Sequence, residues 1–284
     1  MNKRKKVFSR RRMLGITMGF GGFAVTGGAG SIFAQEAARM PARILTIDAK
    51  PEPIAVDTGQ TAVIVVDMQN DFGSEGGMFQ RAGIDISMIR SVVAPTAKVL
   101  TAARREGVKI VYLKMGFKPD LSDAGRPDTQ LYARRQKNMK FGTKVKSPTG
   151  ADSRIFIRDT WNTDILSELT PKAEDIVLYK HRFSGFFETD LDSILKRLGV
   201  KYLIFTGCTT SICVESTVRD AMFRDYMPVV LADCTAEPLG NGFPRSNHEA
   251  SLLNIQVSFG WVSSSNDFIK GLETRPDAAA VKSL

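Results

Sequence analysis

The sequence predicts a three-layer α/β/α fold, in which helices cover both faces of a mostly parallel β-sheet within a single domain. Short apolar runs rich in β-branched residues alternate along the chain with segments of helical periodicity. The joints between them are short, as expected for strand–helix–strand units with right-handed crossovers. The length of 284 residues and the hydrophobic content of 43% fit one large globular domain.

The first 34 residues carry most of the basic excess of the chain. They contain seven Lys and Arg residues and no acid, and the remaining residues have a net charge of only about +2. The chain is therefore not expected to bind nucleic acid. A charged start, a weakly apolar glycine-rich stretch and small residues near Ala34 predict an export signal. Within it, SRRRML at residues 9–14 resembles a twin-arginine signal.

Export of the folded chain predicts a periplasmic or otherwise exported protein, without stable membrane association once the signal is cleaved near Ala34. An uncleaved N-terminal anchor is the alternative, although a membrane span needs about 20 strongly apolar residues. Residues 35–60 are polar and contain several prolines, which predicts an extended lead-in over the surface. The folded domain is then expected over residues 61–284.

The first half of the domain is predicted to contain two buried strands separated by a helix. TAVIVVDM, at residues 61–68, is a continuous apolar run typical of a strand buried on both faces. Helical periodicity follows from Ile86 to Glu106, where Pro95 is expected to kink or divide the helix. VKIVYLKM, at residues 108–115, predicts the second strand. Residues 116–153 are polar, basic and rich in turn formers, which predicts a lid or an oligomer-contact insertion.

The alternation of strands and helices resumes after that segment. Four further strands are expected, at residues 175–180, 202–208, 227–234 and 260–264. Three further helices are expected, at residues 189–199, 211–225 and 246–256, the first with Thr189 as its N-cap. In such sheets ligands bind beyond the carboxyl ends of the strands, at the point where the strand order reverses.

Three reactive side chains follow predicted strand ends. Asp67 ends the first strand, Lys180 ends the third, and Cys213 opens the helix after the fourth. A helix N-terminus and a neighbouring lysine both favour the thiolate form of a cysteine. Asp67 could accept the thiol proton, and backbone N–H groups of the turn GCTTSIC could face a developing oxyanion. These groups suffice for acyl transfer through a thioester.

The other two cysteines are expected to pack in the core. Cys208 lies at the end of an apolar strand and Cys234 lies in LADCT, and buried thiols of this kind are common. Two alternatives to a hydrolase stay open. One is a non-catalytic exported protein that binds a small molecule on the same fold, and the other is a redox pair formed by Cys208 and Cys213.

Three stretches carry a resemblance to a known family. TAVIVVDMQNDF, KHRFSGFFETDLDSIL and TGCTTSICVESTVRDA resemble the signature stretches of the isochorismatase-like cysteine hydrolases. The resemblance runs from residue 61 to 268, is weaker between 116 and 153, and is nearest to the ureidoacrylate amidohydrolase branch, with biuret hydrolase nearby. It implies a six-stranded, Rossmann-like sheet and a homo-oligomer. The implied reaction is hydrolysis of a C–N bond in a small ureido, carbamoyl or amide compound, with release of ammonia or an amine.

The resemblance also implies a role for each reactive residue. Cys213 would be the nucleophile, Asp67 the base, and Lys180 the cation that orients Asp67 and stabilises charge. A cis peptide bond would join Cys208 to Thr209. The backbone N–H groups of Thr209 and Cys213 would then face the oxyanion.

The substrate pocket is expected after the second strand. Lys114, Met115 and Phe117 would line it, and Lys114 or Arg182 could hold a substrate carboxylate. Because ureidoacrylate breakdown is cytoplasmic, an exported relative is expected to act on a different small amide.

No metal and no other cofactor is expected. Nicotinamidases of the family bind a metal through an Asp and two His after the second strand, whereas this chain has only His181 and His248. His181, beside Lys180, is expected at the rim of the site. Isochorismatase itself does not need this cysteine, so the presence of Cys213 argues against that activity.

Overall fold

The structure is a computed structural model that describes residues 42–240 and 246–274. The predicted export signal at residues 1–34 lies outside the described residues, as does the start of the predicted lead-in. Among the described residues, no helix is both long enough and apolar enough to cross a membrane.

The strands form one central sheet and two small hairpins. In chain order they are β1 Ile44–Ile47, β2 Ile54–Asp57, β3 Thr61–Val66, β4 Lys109–Met115, β5 Lys144–Lys146, β6 Asp152–Arg154, β7 Ile176–Lys180, β8 Tyr202–Cys208, β9 Met227–Ala236 and β10 Trp261–Ser263. The central sheet has six strands in the order β10-β9-β8-β3-β4-β7, and all neighbouring pairs are parallel. The predicted fold class is confirmed.

The strand order of this sheet reverses at β3. The chain runs from β3 outward to β4 and β7, then returns to β8 on the other side of β3 and continues to β9 and β10. Open sheets of this kind offer a ligand crevice at the carboxyl ends of the strands beside such a reversal. Two register pairs define that edge: Val66 lies opposite Gly207, and Met115 lies opposite Lys180.

Helices cover both faces of the sheet. They are α1 Asn70–Gly73, α2 Met78–Arg81, α3 Ser87–Ser91, α4 Val93–Arg105, α5 Gln130–Met139, α6 Leu191–Arg197, α7 Glu215–Met222, α8 Asn247–Asn254 and α9 Ser265–Glu273. Strand β3 is buried throughout and feeds both layers, because successive side chains point to opposite faces. Val63 and Val65 belong to the apolar cluster with α4 and α9, whereas Ile64 and Val66 belong to the cluster with α6 and α7.

The long helix predicted over residues 86–106 is divided, as Pro95 indicated. Helix α3 ends at Ser91, Val92 lies between the two helices, and Pro95 is the third residue of α4. The first N–H groups of a helix have no acceptor within it, so proline at this position costs no hydrogen bond. The helix therefore restarts just before the proline.

The start of α6 and the presence of α9 differ from the sequence prediction. Helix α6 begins at Leu191 and its cap residue is Asp190, although the Thr189 hydroxyl accepts a hydrogen bond from the Leu191 N–H at 3.3 Å. Helix α9 was not predicted. Its start has the S-x-x-D signal of a capping box, in which Ser264 Oγ accepts from the Asp267 N–H at 3.1 Å.

The expectation that residues 35–60 extend over the surface is wrong for its described part. Strands β1 and β2 pair antiparallel, with Ile47 opposite Ile54. Alternate residues of the hairpin are buried and belong to the core cluster on the α4 and α9 side: Leu45, Ile47, Ile54 and Val56. Burial alternates along β1, with Leu45 and Ile47 inside and Ile44 and Thr46 outside, although Ile44 is apolar.

The segment 116–153 has its own secondary structure and is anchored in the core. It contains α5 and the hairpin of β5 and β6. No residue of α5 is fully buried, but Phe117, Ala124 and Phe141 are buried in the core cluster around it. A few apolar anchors therefore hold a largely polar segment, which explains its weak periodicity.

Candidate active site

Asp67 is the first residue after β3, at the centre of the carboxyl edge of the sheet. Its backbone N–H donates to the Leu113 carbonyl at 2.9 Å, and its φ of +52° lies in the left-handed region. Few residues other than glycine adopt that region, although aspartate is one of the more tolerant. The chain turns sharply out of the strand here, and the Asp67 side chain is fully buried.

Lys180 ends β7 and reaches Asp67 across the end of β4. Its Nζ lies 2.8 Å from Asp67 Oδ2, 3.2 Å from the Arg182 carbonyl and 3.9 Å from Met115 Sδ. Both charged side chains have 0% exposure. A lysine is rarely buried so fully without an anionic partner, so the Asp67 carboxylate accounts for its position.

Cys213 completes the cluster. It lies in the π-helical turn Thr210–Val214, which leads directly into α7, and it is 5% exposed. The thiol lies near enough to Asp67 and Lys180 for both charges to act on its pKa. The structure thus brings together the three side chains that the sequence placed at strand ends.

The protonation of Cys213 differs from the sequence expectation. Burial raises the pKa of the Cys213 thiol well above its ordinary value, and the Asp67 carboxylate acts in the same direction, while Lys180 opposes both. Cys213 was expected to open the following helix, but it lies in the π-helical turn, and α7 begins two residues later at Glu215. The raised pKa favours the thiol form of Cys213.

The Asp67–Lys180 pair holds opposite charges in this low-dielectric site. Burial raises the pKa of Asp67 above its ordinary value, and Lys180 opposes that shift through its charge and hydrogen bond. For Lys180, burial lowers the pKa but the charges of Asp67 and Cys213 outweigh it, so the pKa is raised. The charge of Lys180 favours the carboxylate form of Asp67, and a carboxylate beside a protonated thiol is the arrangement that a general base needs.

The turn before Cys213 contains the cis peptide bond that the resemblance implied. The peptide bond between Cys208 and Thr209 is cis. The Thr209 N–H donates to no acceptor in the described part of the chain. Cys208 itself is buried, and its thiol donates to the Asp67 carbonyl at 3.3 Å, which places it in the wall beneath the site.

Glu237 holds this turn in place, and sequence reasoning missed it. It follows β9 and is fully buried, and its Oε2 accepts hydrogen bonds from the Ser211 N–H at 2.9 Å and the Ser211 hydroxyl at 2.5 Å. Its Oε1 accepts from the Leu239 N–H at 3.0 Å. An acid directly after a strand of the same sheet was the available signal.

The three residues expected to line the pocket after the second strand have different contacts. Met115 is buried beside Lys180. Phe117 is fully buried and packs on Phe141, with ring centroids 5.0 Å apart. Lys114 Nζ lies 4.6 Å from the ring centroid of Tyr179.

Arg182, the other expected carboxylate ligand, already has acceptors. Its Nη1 donates to the carbonyl oxygens of Asp123 and His181, both at 2.8 Å. This side chain therefore ties the segment 116–153 to the end of β7.

The two histidines of the chain contact different parts of the fold. His181 is largely buried, with its Nε2 3.4 Å from Glu188, and His248 Nδ1 lies 2.9 Å from the Thr210 hydroxyl oxygen. Within residues 42–240 and 246–274, no three His, Cys, Asp or Glu side chains are grouped as a metal site would require. Glu215 and Arg219, four residues apart on α7, form an i,i+4 ion pair.

Comparison with known proteins agrees with this geometry. Residues 61–267 match the isochorismatase domain. The chain is 40% identical over 228 residues to the ureidoacrylate amidohydrolase RutB of Serratia proteamaculans. The aligned region covers 80% of this chain and 89% of that protein.

Solved structures show the same architecture. A cysteine hydrolase from Pseudomonas syringae pv. phaseolicola superposes with a TM-score of 0.63 at 28% identity, covering 82% of this chain and 99% of the other. The N-carbamoylsarcosine amidase from Thermoplasma acidophilum superposes with a TM-score of 0.52 at 25% identity, covering 73% of this chain and 97% of the other.

Proposed function

The chain belongs to the isochorismatase family of hydrolases, and from that premise we propose that it is a cysteine amidohydrolase acting on a small ureido, carbamoyl or amide compound. The observation that carries the proposal is the cluster of Asp67, Lys180 and Cys213, buried together at the reversal of the sheet. The relatives named as a ureidoacrylate amidohydrolase and an N-carbamoylsarcosine amidase support the substrate class.

The reaction begins with transfer of the Cys213 proton to the Asp67 carboxylate. As the proton leaves, the sulfur attacks the carbonyl carbon of the scissile amide or ureido group. The raised pKa of the thiol means that proton transfer and attack are coupled, since a free thiolate is disfavoured before the substrate arrives. Lys180 stays protonated and offsets the negative charge that moves from Asp67 to the reacting atoms.

The tetrahedral intermediate needs hydrogen-bond donors for its oxyanion. The backbone N–H groups of Thr209 and Cys213 are our candidates, because that of Thr209 donates to nothing else in the described residues. Protonated Asp67 then gives its proton to the leaving nitrogen. The C–N bond breaks, an amine or ammonia departs, and a thioester to Cys213 remains.

Hydrolysis of the thioester repeats the same proton transfers with water. Asp67 takes a proton from water as its oxygen attacks the thioester carbonyl, and the proton then returns to the departing Cys213 sulfur. The product is a carboxylic acid. If the substrate is a ureide, the product is a carbamate, which decomposes to carbon dioxide and ammonia.

The proposal is tested by ammonia release from a panel of ureides, carbamoyl amino acids, biuret and simple amides. We expect turnover of one class by the native chain and at least a ~10³-fold loss in Cys213→Ala. Cys234→Ala is the matched control, because Cys234 is a buried thiol of β9 and should leave turnover within about threefold of the native rate. Equal activity in Cys213→Ala would refute the nucleophile. No turnover by a folded chain whose Cys213 is unreactive would favour a binding protein.

A further inference from the structure

Arg135 of α5 carries a buried guanidinium group with unused donors. Its Nε and Nη2 atoms are shielded from solvent and donate no hydrogen bond, while Nη1 makes one long contact with the Ala124 carbonyl at 3.4 Å. Guanidinium groups have five N–H donors and are costly to remove from water without acceptors. In the described chain, this cation lacks an anionic partner.

Aromatic rings surround the guanidinium group but offer it no acceptor. Its central carbon lies 5.7 Å from the ring centroids of Phe117 and Phe183 and 6.0 Å from that of Phe141. Cation–π attraction of this kind offsets part of the desolvation cost and holds the group in place. Burial lowers the pKa of Arg135, and the positive charge of Arg182 acts in the same direction. A bound anion would offset both the desolvation of the Arg135 cation and its repulsion by Arg182.

Two of the rings around the guanidinium group belong to segments that also carry residues of the proposed site. Phe117 lies two residues beyond Met115, and Phe183 lies three residues beyond Lys180. The charge of Cys213 also acts on the pKa of Arg135. Helix α5 therefore brings a positive charge to the same edge of the sheet as the nucleophile. It does so from the segment 116–153, which the sequence identified only as an insertion.

The other cations near this edge already have partners. Lys114 lies over the Tyr179 ring and interacts with Asp164. Arg182 donates to two backbone carbonyls. Arg135 is better suited than either to receive a ligand, because two of its nitrogen atoms are both buried and unpaired.

We propose that Arg135 binds the carboxylate of the substrate, and hence that the preferred substrates are anionic ureido or carbamoyl acids rather than neutral ureides. This inference rests on the proposed amidohydrolase function. A planar guanidinium can bind a carboxylate with two parallel hydrogen bonds, which fixes both the position and the orientation of the substrate. A neutral substrate would leave the buried cation unpaired, so the enzyme would discriminate against it.

The first test compares an acid with its neutral counterpart. The substrates are 3-ureidopropionate and 3-ureidopropionamide, assayed by ammonia release after subtraction of any release from the terminal amide. We expect the native chain to prefer the acid by about 10²-fold in kcat/KM, and Arg135→Gln to lose about that factor on the acid alone. Arg135→Lys keeps the positive charge but cannot form two parallel hydrogen bonds, so its kcat/KM on the acid should lie between those of the native chain and Arg135→Gln. An equal loss on both substrates would overturn the proposal.

The matched control is Arg134→Gln, which removes an exposed arginine from the same helix. It should behave as the native chain on both substrates. If it reproduced the effect of Arg135→Gln, the cause would be general charge, and the specific role of Arg135 would be wrong.

A second test does not depend on turnover. Cys213 is alkylated with iodoacetate and with iodoacetamide, which differ in charge but little in shape. Removal of a nearby cation should lower the iodoacetate-to-iodoacetamide rate ratio at least about fivefold in Arg135→Gln and leave it unchanged in Arg134→Gln. An unchanged ratio in Arg135→Gln would overturn the role of Arg135 even if amides are hydrolysed. A lowered ratio without any hydrolysis would support the anion site and count against the proposed function instead.

Discussion

The ion pair between Asp67 and Lys180 links the stability of the fold to its chemistry. Both side chains are fully buried, with 2.8 Å between Lys180 Nζ and Asp67 Oδ2. Each charge is acceptable at that depth only because the other is present, since an unpaired buried charge is strongly destabilising. The two residues to which we assign catalytic roles therefore also constrain folding.

A double-mutant cycle on this pair checks that dependence. Lys180→Met leaves Asp67 buried without a cation and should lower the free energy of unfolding by about 3–5 kcal/mol at neutral pH. Adding Asp67→Asn removes the stranded charge, so the double variant should be more stable than Lys180→Met alone. Urea unfolding of the four proteins gives the coupling energy. Simple additivity of the two single changes would show that the charges do not depend on each other.

The pH dependence of catalysis follows from the same site. Burial raises the pKa of Asp67, so the acid limb of kcat/KM should lie at higher pH than an ordinary aspartate would give. Burial also raises the pKa of the Cys213 thiol, so no second rise should occur near the ordinary cysteine value of about 8.5. A pH–rate profile from pH 4 to 10 measures the acid limb and shows whether a second rise occurs. A tenfold rise per pH unit through 8 to 9 would mean that a preformed thiolate is the nucleophile.

Asp71 should make stability depend on pH. It is buried, and burial raises its pKa to about 7 although Asn162 and the backbone N–H groups of Met78 and Phe156 donate to it. An unfolded aspartate has a pKa of about 3.9. Between these values the folded chain holds one more proton than the unfolded chain, so stability falls as pH rises through this window and levels off above it.

The change that tests this is Asp71→Asn. Its stability, relative to the native chain, should improve as the pH is raised from 5 to 8, because only the native chain loses the proton. Urea midpoints at the two pH values give the comparison. A constant difference between the two proteins would show that Asp71 stays ionised across this range.

At the scale of elements, the contact between β3 and β8 fixes where the reactive residues lie. Gly207 of β8 has a φ of +116°, and a Cβ placed on it would lie 2.0 Å from the Val66 carbonyl oxygen. Only glycine permits both that backbone conformation and that approach. Asp67 follows Val66, and the turn that carries Cys213 follows Cys208. This one contact between the strands therefore positions both Asp67 and Cys213.

Substitution of this glycine should therefore affect both stability and activity. Gly207→Ala is expected to cost at least about 3 kcal/mol, because β8 must move away from β3. Gly199→Ala is the matched control: its φ is +66° and nothing lies within 4 Å of an added Cβ, so about 1 kcal/mol is expected. Thermal unfolding and turnover of both variants make the comparison. Equal effects would mean that the backbone angle alone matters, and not the close approach.

At the scale of the whole molecule, we propose that the basic N-terminal segment directs export of the folded chain. Substitution of Arg10, Arg11 and Arg12 by lysine keeps the charge but removes the paired arginines, and should leave the chain in the cytoplasm. Arg4→Lys is the control and should leave export unchanged. Cell fractionation with an antibody to the chain measures the distribution. Unaltered export of the triple variant would refute a twin-arginine route.

The sequence predicted the elements whose patterns are local. The run TAVIVV reads as a strand buried on both faces because every residue is apolar and most are β-branched, and β3 is such a strand. The grouping of Asp67, Lys180 and Cys213 could also be predicted from the sequence. Each follows a predicted strand, and parallel strands bring their carboxyl ends to one edge of the sheet. The hairpin of β1 and β2 was missed because its four-residue strands gave too short a pattern to outweigh the prolines around it.

The tertiary structure decided what depends on distance through space. The sequence favoured a thiolate at Cys213, but the depth of burial and the proximity of Asp67 raise the pKa, and neither is visible in the local sequence. In the sequence, Arg135 was one charge among several in the polar segment 116–153, whereas its unpaired nitrogen atoms follow from how α5 packs near Phe117 and Phe183. The sequence by itself determines which residues follow each strand. The order of the strands in the sheet, the desolvation of a side chain and its hydrogen-bond partners are determined only when distant segments pack together.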